Sequence, residues 1–309
     1  MKRILVLGAA VACFAMLVLA GAAQAADPPV VVPFPAAKVG PIFIAAQTAT
    51  PTGAMASWFK PGSQVVFRAY AVDTKAKKHT VLAAKDVKYF YVTIPNQPNV
   101  KLAYKPSDPA ASKTMPWVGT WTIPSTYPAG LVNFKILVKT TAKRVGAFVQ
   151  MPVASAQLNV SATAPAVLGN GPAPGAAAAA ISSPDIVLYA DTVNGSSPVA
   201  APKRAIGCTQ TNVYKRGEQL VLRTWGFDLS TGQTLTTDNV DTATFTIAGL
   251  APVTLPYGAH GAVGNKVWFW AMYWNIPVDY PLGDVTIHVE FKTDSGKTGT
   301  YDHTITIIP

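Results

Sequence analysis

Ser57 and Lys60 have the spacing of a serine nucleophile and its lysine base, and the Lys-Thr-Gly motif at residues 297–299 follows in the order that such acyl-transfer chemistry uses. This chemistry needs the serine and the lysine one turn apart on a buried helix. Here Pro61 and Gly62 follow at once, no Ser-x-Asn element is evident between the motifs, and residues 297–299 fall in a predicted hairpin turn. We therefore expect no acyl-transfer site.

The histidines are scattered and form neither an HExxH nor an HxH pair that would gather a metal ion: His79, His260, His288 and His303. Only His288 and Glu290 share a strand face, at positions i and i+2, and two ligands are too few. No GxSxG turn presents a serine, and glycine-rich phosphate loops are absent. The sequence predicts no catalytic residue, no metal site and no cofactor. An enzyme with an unrecognised site between domains stays as one alternative.

An aromatic strand at residues 268–274 alternates its side chains between two faces. One face carries two tryptophans that recur in an earlier segment and are predicted core: Trp270 and Trp274 match Trp117 and Trp121. The other face carries Phe269 and Tyr273, and exposed aromatic side chains of this kind mark contacts with sugars, apolar ligands or proteins. The alternative is that both pack beneath the linker or the other domain.

Charge is unevenly divided along the chain. Residues 26–160 contain 15 Lys and Arg against 4 Asp and Glu, whereas residues 161–309 contain 8 against 11, so the segments carry +11 and −3. The basic positions favour attraction to an anionic envelope component or an acidic protein: Lys75, Lys77, Lys78, Lys85 and Lys88, then Lys101, Lys105 and Lys113, then Lys135, Lys139, Lys143 and Arg144. General solubility is the alternative. We expect no nucleic-acid partner, because the protein is predicted to be exported and its lysines lack the interleaved aromatic residues of a single-strand binder.

These side chains are positioned by a fold that the sequence repeats. Residues 121–130 (WTIPSTYPAG) match residues 274–283 (WNIPVDYPLG) at an offset of 153, and residues 60–68 (KPGSQVVFR) match residues 215–223 (KRGEQLVLR) at an offset of 155. A period of about 150 residues indicates duplicated domains, since solenoid units are roughly 20 to 50 residues long.

Each copy reads as short strands separated by turn residues, with no helical periodicity. The predicted strands cover residues 42–45, 64–72, 88–94, 118–123, 132–139 and 147–151 in the first copy, and 185–190, 219–227, 242–247, 266–276, 285–292 and 301–308 in the second. We predict an all-β protein of two antiparallel, immunoglobulin-like β-sandwich domains.

The ends and the junction complete the predicted organisation. Residues 1–25 have the basic start, apolar run and Ala-Gln-Ala ending of a signal peptide, which places the protein in the periplasm or the medium. The first domain then covers residues 26–160, an Ala/Pro/Gly-rich flexible linker 161–183, and the second domain 184–309. The proline-rich residues 28–35 are extended and suit an edge strand or arm. No transmembrane segment is expected after signal removal.

Signal removal takes Cys13 with it and leaves Cys208 as the single cysteine. No internal disulfide is then possible. Cys208 is interpreted as a small buried residue at the start of a strand or, alternatively, as an intermolecular bridge or reactive thiol.

At the repeated motifs the chain resembles bacterial immunoglobulin-like modules, especially the macroglobulin-like type. The resemblance rests on a Pro-Gly turn, an Arg and Asp on the following strand, an aromatic-x-Ile-Pro motif and a Tyr-Pro-x-Gly turn: Pro61-Gly62, Arg68, Asp73, residues 121–124 and 127–130, and in the second copy Arg216-Gly217, Arg223, Asp228, residues 274–277 and 280–283. The Cys and Trp spacing of antibody domains, a thioester motif and a bait region are all missing. The resemblance implies a fold and an extracellular setting and transfers no functional residue.

Two hypotheses of different classes follow. The first is a non-catalytic binding or structural accessory protein of the cell envelope, whose basic first domain engages an anionic partner and whose second domain presents Phe269 and Tyr273. The second is a self-assembling surface or appendage subunit, in which the basic domain of one copy meets the acidic domain of the next.

Overall fold

A computed structural model describes residues 32–33, 41–76, 81–105, 115–149, 157–169, 171, 185–195, 204, 206–260 and 267–309. These residues are arranged almost entirely in β-strands, and the one helical element among them is a single 3-10 turn at Ala84–Asp86. The predicted all-β class is confirmed. The predicted signal peptide, residues 1–25, lies outside the described residues.

We call residues up to 171 the N-terminal half and residues from 185 the C-terminal half. The described strands of the N-terminal half are β1 (Val32–Pro33), β2 (Ile42–Ala49), β3 (Trp58–Phe59), β4 (Gln64–Asp73), β5 (Val87–Thr93), β6 (Val100–Lys101), β7 (Ala103–Tyr104), β8 (Trp117–Thr122), β9 (Gly130–Leu131), β10 (Lys135–Thr140), β11 (Val145–Val149) and β12 (Asn159–Val160). Those of the C-terminal half are β13 (Ile186–Asn194), β14 (Val213–Lys215), β15 (Gln219–Asp228), β16 (Gln233–Thr234), β17 (Val240–Ile247), β18 (Val253–Thr254), β19 (Tyr257–His260), β20 (Val267–Asn275), β21 (Gly283–Thr293) and β22 (Thr298–Ile308).

Four main sheets run through the molecule. The N outer sheet has the order β11-β10-β5-β6 and the N inner sheet β2-β4-β8-β7. The C inner sheet has the order β1-β20-β15-β13, with β16 and β19 attached, and the C outer sheet β14-β22-β21-β17-β18. Most pairings are antiparallel, as the sequence predicts. A small sheet of β3, β12 and β9 closes one end of the N-terminal half.

The inner sheets are covered on both faces. Every residue of β2 and of β13 is buried, whereas a strand with one solvent face would alternate. One hydrophobic core lies between the two N-terminal sheets and contains Phe67, Phe90 and Ile136. A second core joins residues of β2 and β4 to the C-terminal sheets, and Phe43 packs on Phe227 with ring centroids 5.5 Å apart. The order of layers is therefore outer, inner, inner, outer.

The two halves meet about an approximate twofold relation. The Met55 amide donates to Asn212 Oδ1 at 2.7 Å, and the Gln210 amide donates to Ser57 Oγ at 3.1 Å. Gln210 lies 155 positions after Met55, and Asn212 lies 155 positions after Ser57. This is the same offset that relates residues 60–68 to residues 215–223. The interface is therefore built from the same positions of each copy, as in a symmetric dimer.

Repeated contacts inside each half show that the duplication extends to structure. Trp117 Nε1 donates to the Leu82 carbonyl at 2.8 Å, and Trp270 Nε1 donates to the Leu235 carbonyl at 2.9 Å. The end of β4 is tied to the β10–β11 hairpin by an Asp73–Arg144 ion pair, and the end of β15 to the β21–β22 hairpin by Asp228–Lys297. The predicted core role of the paired tryptophans is met by Trp117 and Trp270, which are both buried.

The N-terminal arm and the junction also pack against the halves. Strand β1 pairs in parallel with β20 of the C inner sheet, so Val32 and Pro33, the described part of the proline-rich segment, form an edge strand as the sequence predicts. The predicted flexible linker, residues 161–183, is described only at 161–169 and 171. There Ala164 is buried and a Cβ placed on Gly169 would meet Val213, because the segment lies against the folded strands rather than apart from them.

Candidate functional site

The outward face of the N outer sheet combines lysines with tyrosines. Strand alternation turns Phe90 and Val92 of β5 into the core and leaves their neighbours outward. The same alternation on β10 buries Ile136 and Val138. We call the outward set the basic–aromatic face, consisting of Tyr89, Tyr91, Lys101, Lys135, Leu137 and Lys139.

Strand register brings these side chains together from distant parts of the sequence. Tyr89 lies opposite Lys139, and Tyr91 lies opposite Leu137 on one side and Lys101 on the other. Direct cross-strand neighbours have Cβ atoms about 4.5–5.5 Å apart, so the lysine stems lie beside the rings. The two tyrosine rings also contact each other, with centroids 5.2 Å apart and planes inclined by 37°. The result is an aromatic strip bordered by three cations.

No carboxylate among the described residues balances these cations on the face. The described part of the N-terminal half holds Asp73, which pairs with Arg144, and Asp86, which accepts from the Ala83 amide. Lys135 and Lys139 are four residues apart on one strand, a separation of about 13 Å. The face therefore presents spaced, uncompensated positive charge.

The predicted lysine cluster gathers at one end of this face. Lys75, Lys85 and Lys88 are all exposed. Lys75 lies two residues after Asp73, which forms an ion pair with Arg144 of the β10–β11 hairpin. Lys85 lies in the 3-10 turn, and the carbonyl of the next residue, Asp86, accepts a hydrogen bond from the Thr141 amide at 2.9 Å. Lys77 and Lys78 lie outside the described residues.

An open groove of about 340 Å³ lies at the other end of the face. Its polar side chains are uncharged amides and hydroxyls, and three prolines form much of its wall: Asn96, Gln97, Thr126, Tyr127 and Asn133, with Pro95, Pro124 and Pro128. Asn133 precedes Lys135 by two positions, so the groove continues the outward row of β10. Partial burial raises the pKa of the Tyr127 phenol, which keeps that lining group neutral.

The equivalent face of the C-terminal half has different chemistry. Register places Thr242 opposite Lys292, Thr244 opposite Glu290 and Thr246 opposite His288, at the positions that Tyr89, Tyr91 and Thr93 occupy in the other half. His288 Nδ1 also contacts Asp302 Oδ1 at 2.5 Å. In the C outer sheet, threonines thus stand where the N outer sheet has its two tyrosines and Lys101. His288 takes the place of Lys135 and Glu290 that of Leu137, while Lys292 keeps a lysine at the position of Lys139.

Phe269 and Tyr273, predicted as one contact surface, do not share an environment. Tyr273 is exposed, with 55% of its surface accessible, whereas Phe269 retains 3%. Phe269 packs on Trp225 at 5.2 Å and on His260 at 4.2 Å. The prediction of an exposed Phe269 is wrong, because this side chain is enclosed by Trp225 and His260 of its own half. The alternative, in which both aromatic residues pack beneath the linker or the other domain, is wrong for Tyr273.

A buried polar network lies at the interface between the halves, where Gln47 Nε2 donates to the Ala190 carbonyl at 3.4 Å. Arg223 donates to both Asp191 oxygens, Nε at 2.7 Å and Nη2 at 2.6 Å. Arg68, its counterpart in the first copy, donates to Gln47 Oε1 at 2.9 Å. All four side chains are at least nine-tenths buried, so they bind one another and not a ligand from solvent.

The remaining chemical motifs are separated by the fold. Ser57 is buried and its hydroxyl accepts from the Gln210 amide, while Trp58 and Phe59 form a strand and not a helix. Lys297 pairs with Asp228 in the C-terminal half. Within the described ranges, no three His, Cys, Asp or Glu side chains are grouped as metal ligands. Cys208 lies half-buried in a turn at a positive φ of 58°, and not at a strand start.

Sequence reasoning missed the tyrosines of the basic–aromatic face. Lysines and aromatic residues seemed separate along the chain, yet Tyr89 and Tyr91 lie between Lys101 on β6 and the lysines of β10. The Lys-Tyr-Phe-Tyr segment at residues 88–91 was the available signal. These tyrosines meet the lysines only through pairing with strands 10 to 50 residues away, and the alternation of side chains does not predict that pairing.

Comparison with known proteins shows weak likeness to bacterial β-rich proteins. No protein-family model and no curated protein matches the chain. A mixed-linkage glucan utilization protein of Bacteroides ovatus, solved with a heptasaccharide, aligns over 82% of this chain and 44% of its own at 12% identity and a TM-score of 0.19. The extracellular domain of a hybrid two-component system from B. thetaiotaomicron aligns over 80% of this chain and 31% of its own, at 9% identity and a TM-score of 0.25.

The major pilin subunit of Bacillus cereus aligns over 86% of this chain and 66% of its own, at 12% identity and a TM-score of 0.18. The chain spans less than half the length of the first structures it matches. At these scores the alignments carry no argument about activity or partners. In the part of the chain that the structure describes, no helix is long and apolar enough to cross a membrane.

Proposed function

We propose that this is an exported, non-catalytic binding accessory protein of the cell envelope, and that the basic–aromatic face holds an anionic partner. The observation that carries the proposal is the convergence of Lys101, Lys135 and Lys139 around two outward tyrosines. Export rests on the predicted signal peptide. A non-catalytic role is consistent with titratable groups that are buried against one another at the interface of the halves.

The positive charge of the basic–aromatic face favours binding of anions. Residues 26–160 carry a formal charge of +11, and three of these charges project from β6 and β10, on either side of β5, without a carboxylate on the same face among the described residues. Fields of like charges add over distances within the Debye length, about 10 Å at 0.1 M salt. Binding should therefore be strong at low ionic strength and weaken as salt rises.

A triple substitution tests this proposal. Replacing Lys101, Lys135 and Lys139 with Gln should weaken binding to poly-L-glutamate at low salt by roughly tenfold or more, since each exposed charge contributes about 0.3–1 kcal/mol. The matched control replaces three exposed lysines elsewhere with Gln: Lys60, Lys215 and Lys292. It makes the same change in net charge and should retain most of the affinity, as measured by fluorescence anisotropy over a salt series.

Equal losses in the two triple variants would show that net charge and not this face governs binding. No binding by the wild-type chain at low salt would reject an anionic partner altogether.

Self-association is a second candidate, favoured by three exposed aliphatic residues on neighbouring turns of the C-terminal half, Leu250, Val278 and Leu282. Sedimentation velocity on the same samples decides it, because a strict monomer across the concentration series rules it out.

A further inference from the structure

Resting on the proposed function, we infer that the anionic partner is an acidic polysaccharide, bound along the basic–aromatic face with one neutral part of the chain in the adjoining groove. The structure presents three recognition features in one continuous surface. These are spaced cations, outward aromatic rings, and an uncharged polar groove.

The two tyrosines are the feature that favours binding of a sugar polymer over other polyanions. A pyranose ring offers a C–H face that packs on an aromatic ring and a rim of hydroxyls that hydrogen-bond, and tyrosine has both an apolar ring and a polar tip. Tyr89 and Tyr91 lie adjacent and outward, so they cover two successive positions of a linear ligand. An acidic peptide would satisfy the lysines but has no rings to stack there unless its sequence supplies them.

The groove extends this surface with neutral chemistry. Asn96, Gln97 and Asn133 supply amide donors and acceptors, and Tyr127 a neutral phenol, which suits hydroxyl groups better than carboxylates or phosphates. Its volume of about 340 Å³ is at the lower end of the range for small-molecule sites. A lipid bilayer is flat and would leave such a recess unused.

Length favours a chain-like ligand. From Lys135 to Lys139 the outward row of β10 covers about 13 Å, and Asn133 of the groove precedes this strand by two residues. Lys139 lies opposite Tyr89 on β5, and Lys135 lies opposite Thr93, two residues beyond Tyr91. The cations of β10 therefore run alongside the rings of β5 towards the groove, a layout that suits a polymer of charged and uncharged parts.

The C-terminal half lacks these features at the equivalent positions. The Tyr280 hydroxyl, which corresponds to that of Tyr127, donates to the Ala248 carbonyl at 3.0 Å, and no such bond is formed by Tyr127 among the described residues. Thr242 and Thr244 replace the two outward tyrosines. We therefore assign the polysaccharide site to the N-terminal half.

The test compares polymers of similar charge but different chemistry. Binding of the mature chain is measured for hyaluronate, in which a uronate alternates with a neutral N-acetylhexosamine, and for poly-L-glutamate and phosphatidylglycerol–phosphatidylcholine vesicles at matched anionic charge and salt. We expect hyaluronate to bind about fivefold to tenfold more tightly than the other two, the gain that one or two ring contacts supply. The double substitution Tyr89→Ala and Tyr91→Ala should remove this preference and leave the poly-L-glutamate affinity unchanged.

Two controls protect the result. Tyr89→Phe with Tyr91→Phe keeps the rings and should retain the preference, and Thr242→Ala with Thr244→Ala makes the equivalent truncation on the other half. Thermal unfolding of all variants checks that they are folded. Equal affinity for hyaluronate and poly-L-glutamate, or tighter binding to the vesicles, would overturn the polysaccharide assignment. The proposed function fails separately, if no polyanion binds or if the lysine triple has no specific effect.

Discussion

The two outer sheets occupy equivalent places in the molecule but present different chemistry to solvent. In the N outer sheet, Tyr91 is flanked by Leu137 and Lys101, whereas in the C outer sheet the equivalent Thr244 pairs with Glu290 and, through β18, with Thr254. The four strands shared by the two outer sheets have the same order and register, β11-β10-β5-β6 and β22-β21-β17-β18, and the C outer sheet adds β14 at one edge. The difference is therefore confined to side chains that the fold does not need.

The inner parts of the halves are alike where the outer faces diverge. The tryptophan-to-carbonyl hydrogen bonds, the hairpin ion pairs and the reciprocal contacts of Met55 and Gln210 occur in both copies. Such contacts stabilise the fold of each half. Positions that differ while the framework stays the same are where a distinct function resides, which is why the basic–aromatic face and not the interface is our candidate site.

The largest expected difference between the halves is the loss of unfolding free energy when the partner of a buried arginine is removed. Asp191→Ala leaves Arg223 charged and without its carboxylate in the interior, so the free energy of unfolding should fall by about 3–5 kcal/mol. Gln47→Ala removes a neutral partner from Arg68, which keeps a hydrogen bond to the Gly53 carbonyl, and should cost about 1–3 kcal/mol. Urea unfolding of both variants measures the two losses.

A rescue variant checks the cause. Asp191→Ala combined with Arg223→Met removes the stranded charge and should recover part of the lost stability. If Asp191→Ala proves no more harmful than Gln47→Ala, the ion pair does not distinguish the two halves energetically.

Acid sensitivity should also come from the C-terminal half. Burial lowers the pKa of His303 to about 4, with a further lowering from Arg68 and an opposing effect from Asp191. The unfolded chain takes up this proton near pH 6.5, so the contribution of neutral His303 is complete above that pH and is lost as the pH falls towards 4. At pH 5 the loss should be about 2 kcal/mol.

Urea unfolding at pH 7 and pH 5 tests this, with His303→Gln as the variant that lacks the titrating group. The substitution should flatten the dependence, because glutamine keeps a polar partner for the Thr192 hydroxyl but takes up no proton in this pH range. An unchanged pH dependence in His303→Gln would assign the acid sensitivity to other groups.

Much of the framework was predictable from local sequence. Alternation located the principal strands, and the Pro-Gly and Arg-Gly pairs lie at turns in which Gly62 and Gly217 have positive φ values of 83° and 82°. The offsets of 153 and 155 identified the duplication. These features depend on neighbouring residues and on self-similarity, both of which a single sequence contains.

The candidate site was predictable only in part. The excess of lysine was evident, but its meeting with Tyr89 and Tyr91 depends on the pairing of β5 with β6 and β10. The burial of Phe269 depends on how the halves pack, and its alternation pattern is the same whether that face meets water or protein. Long-range packing, which local pattern does not encode, decided both outcomes.

The most direct test of the central claim is to exchange the two faces. Starting from the chain with Lys101, Lys135 and Lys139 replaced by Gln, the C outer sheet receives the equivalent side chains through Thr242→Tyr, Thr244→Tyr, Thr254→Lys, His288→Lys and Glu290→Leu, and polyanion binding is measured at low salt. Because these positions share register with the N-terminal face and Lys292 already stands where Lys139 does, we predict that binding is restored. A folded variant that fails to regain binding would contradict the claim that this face alone distinguishes the function of the two halves.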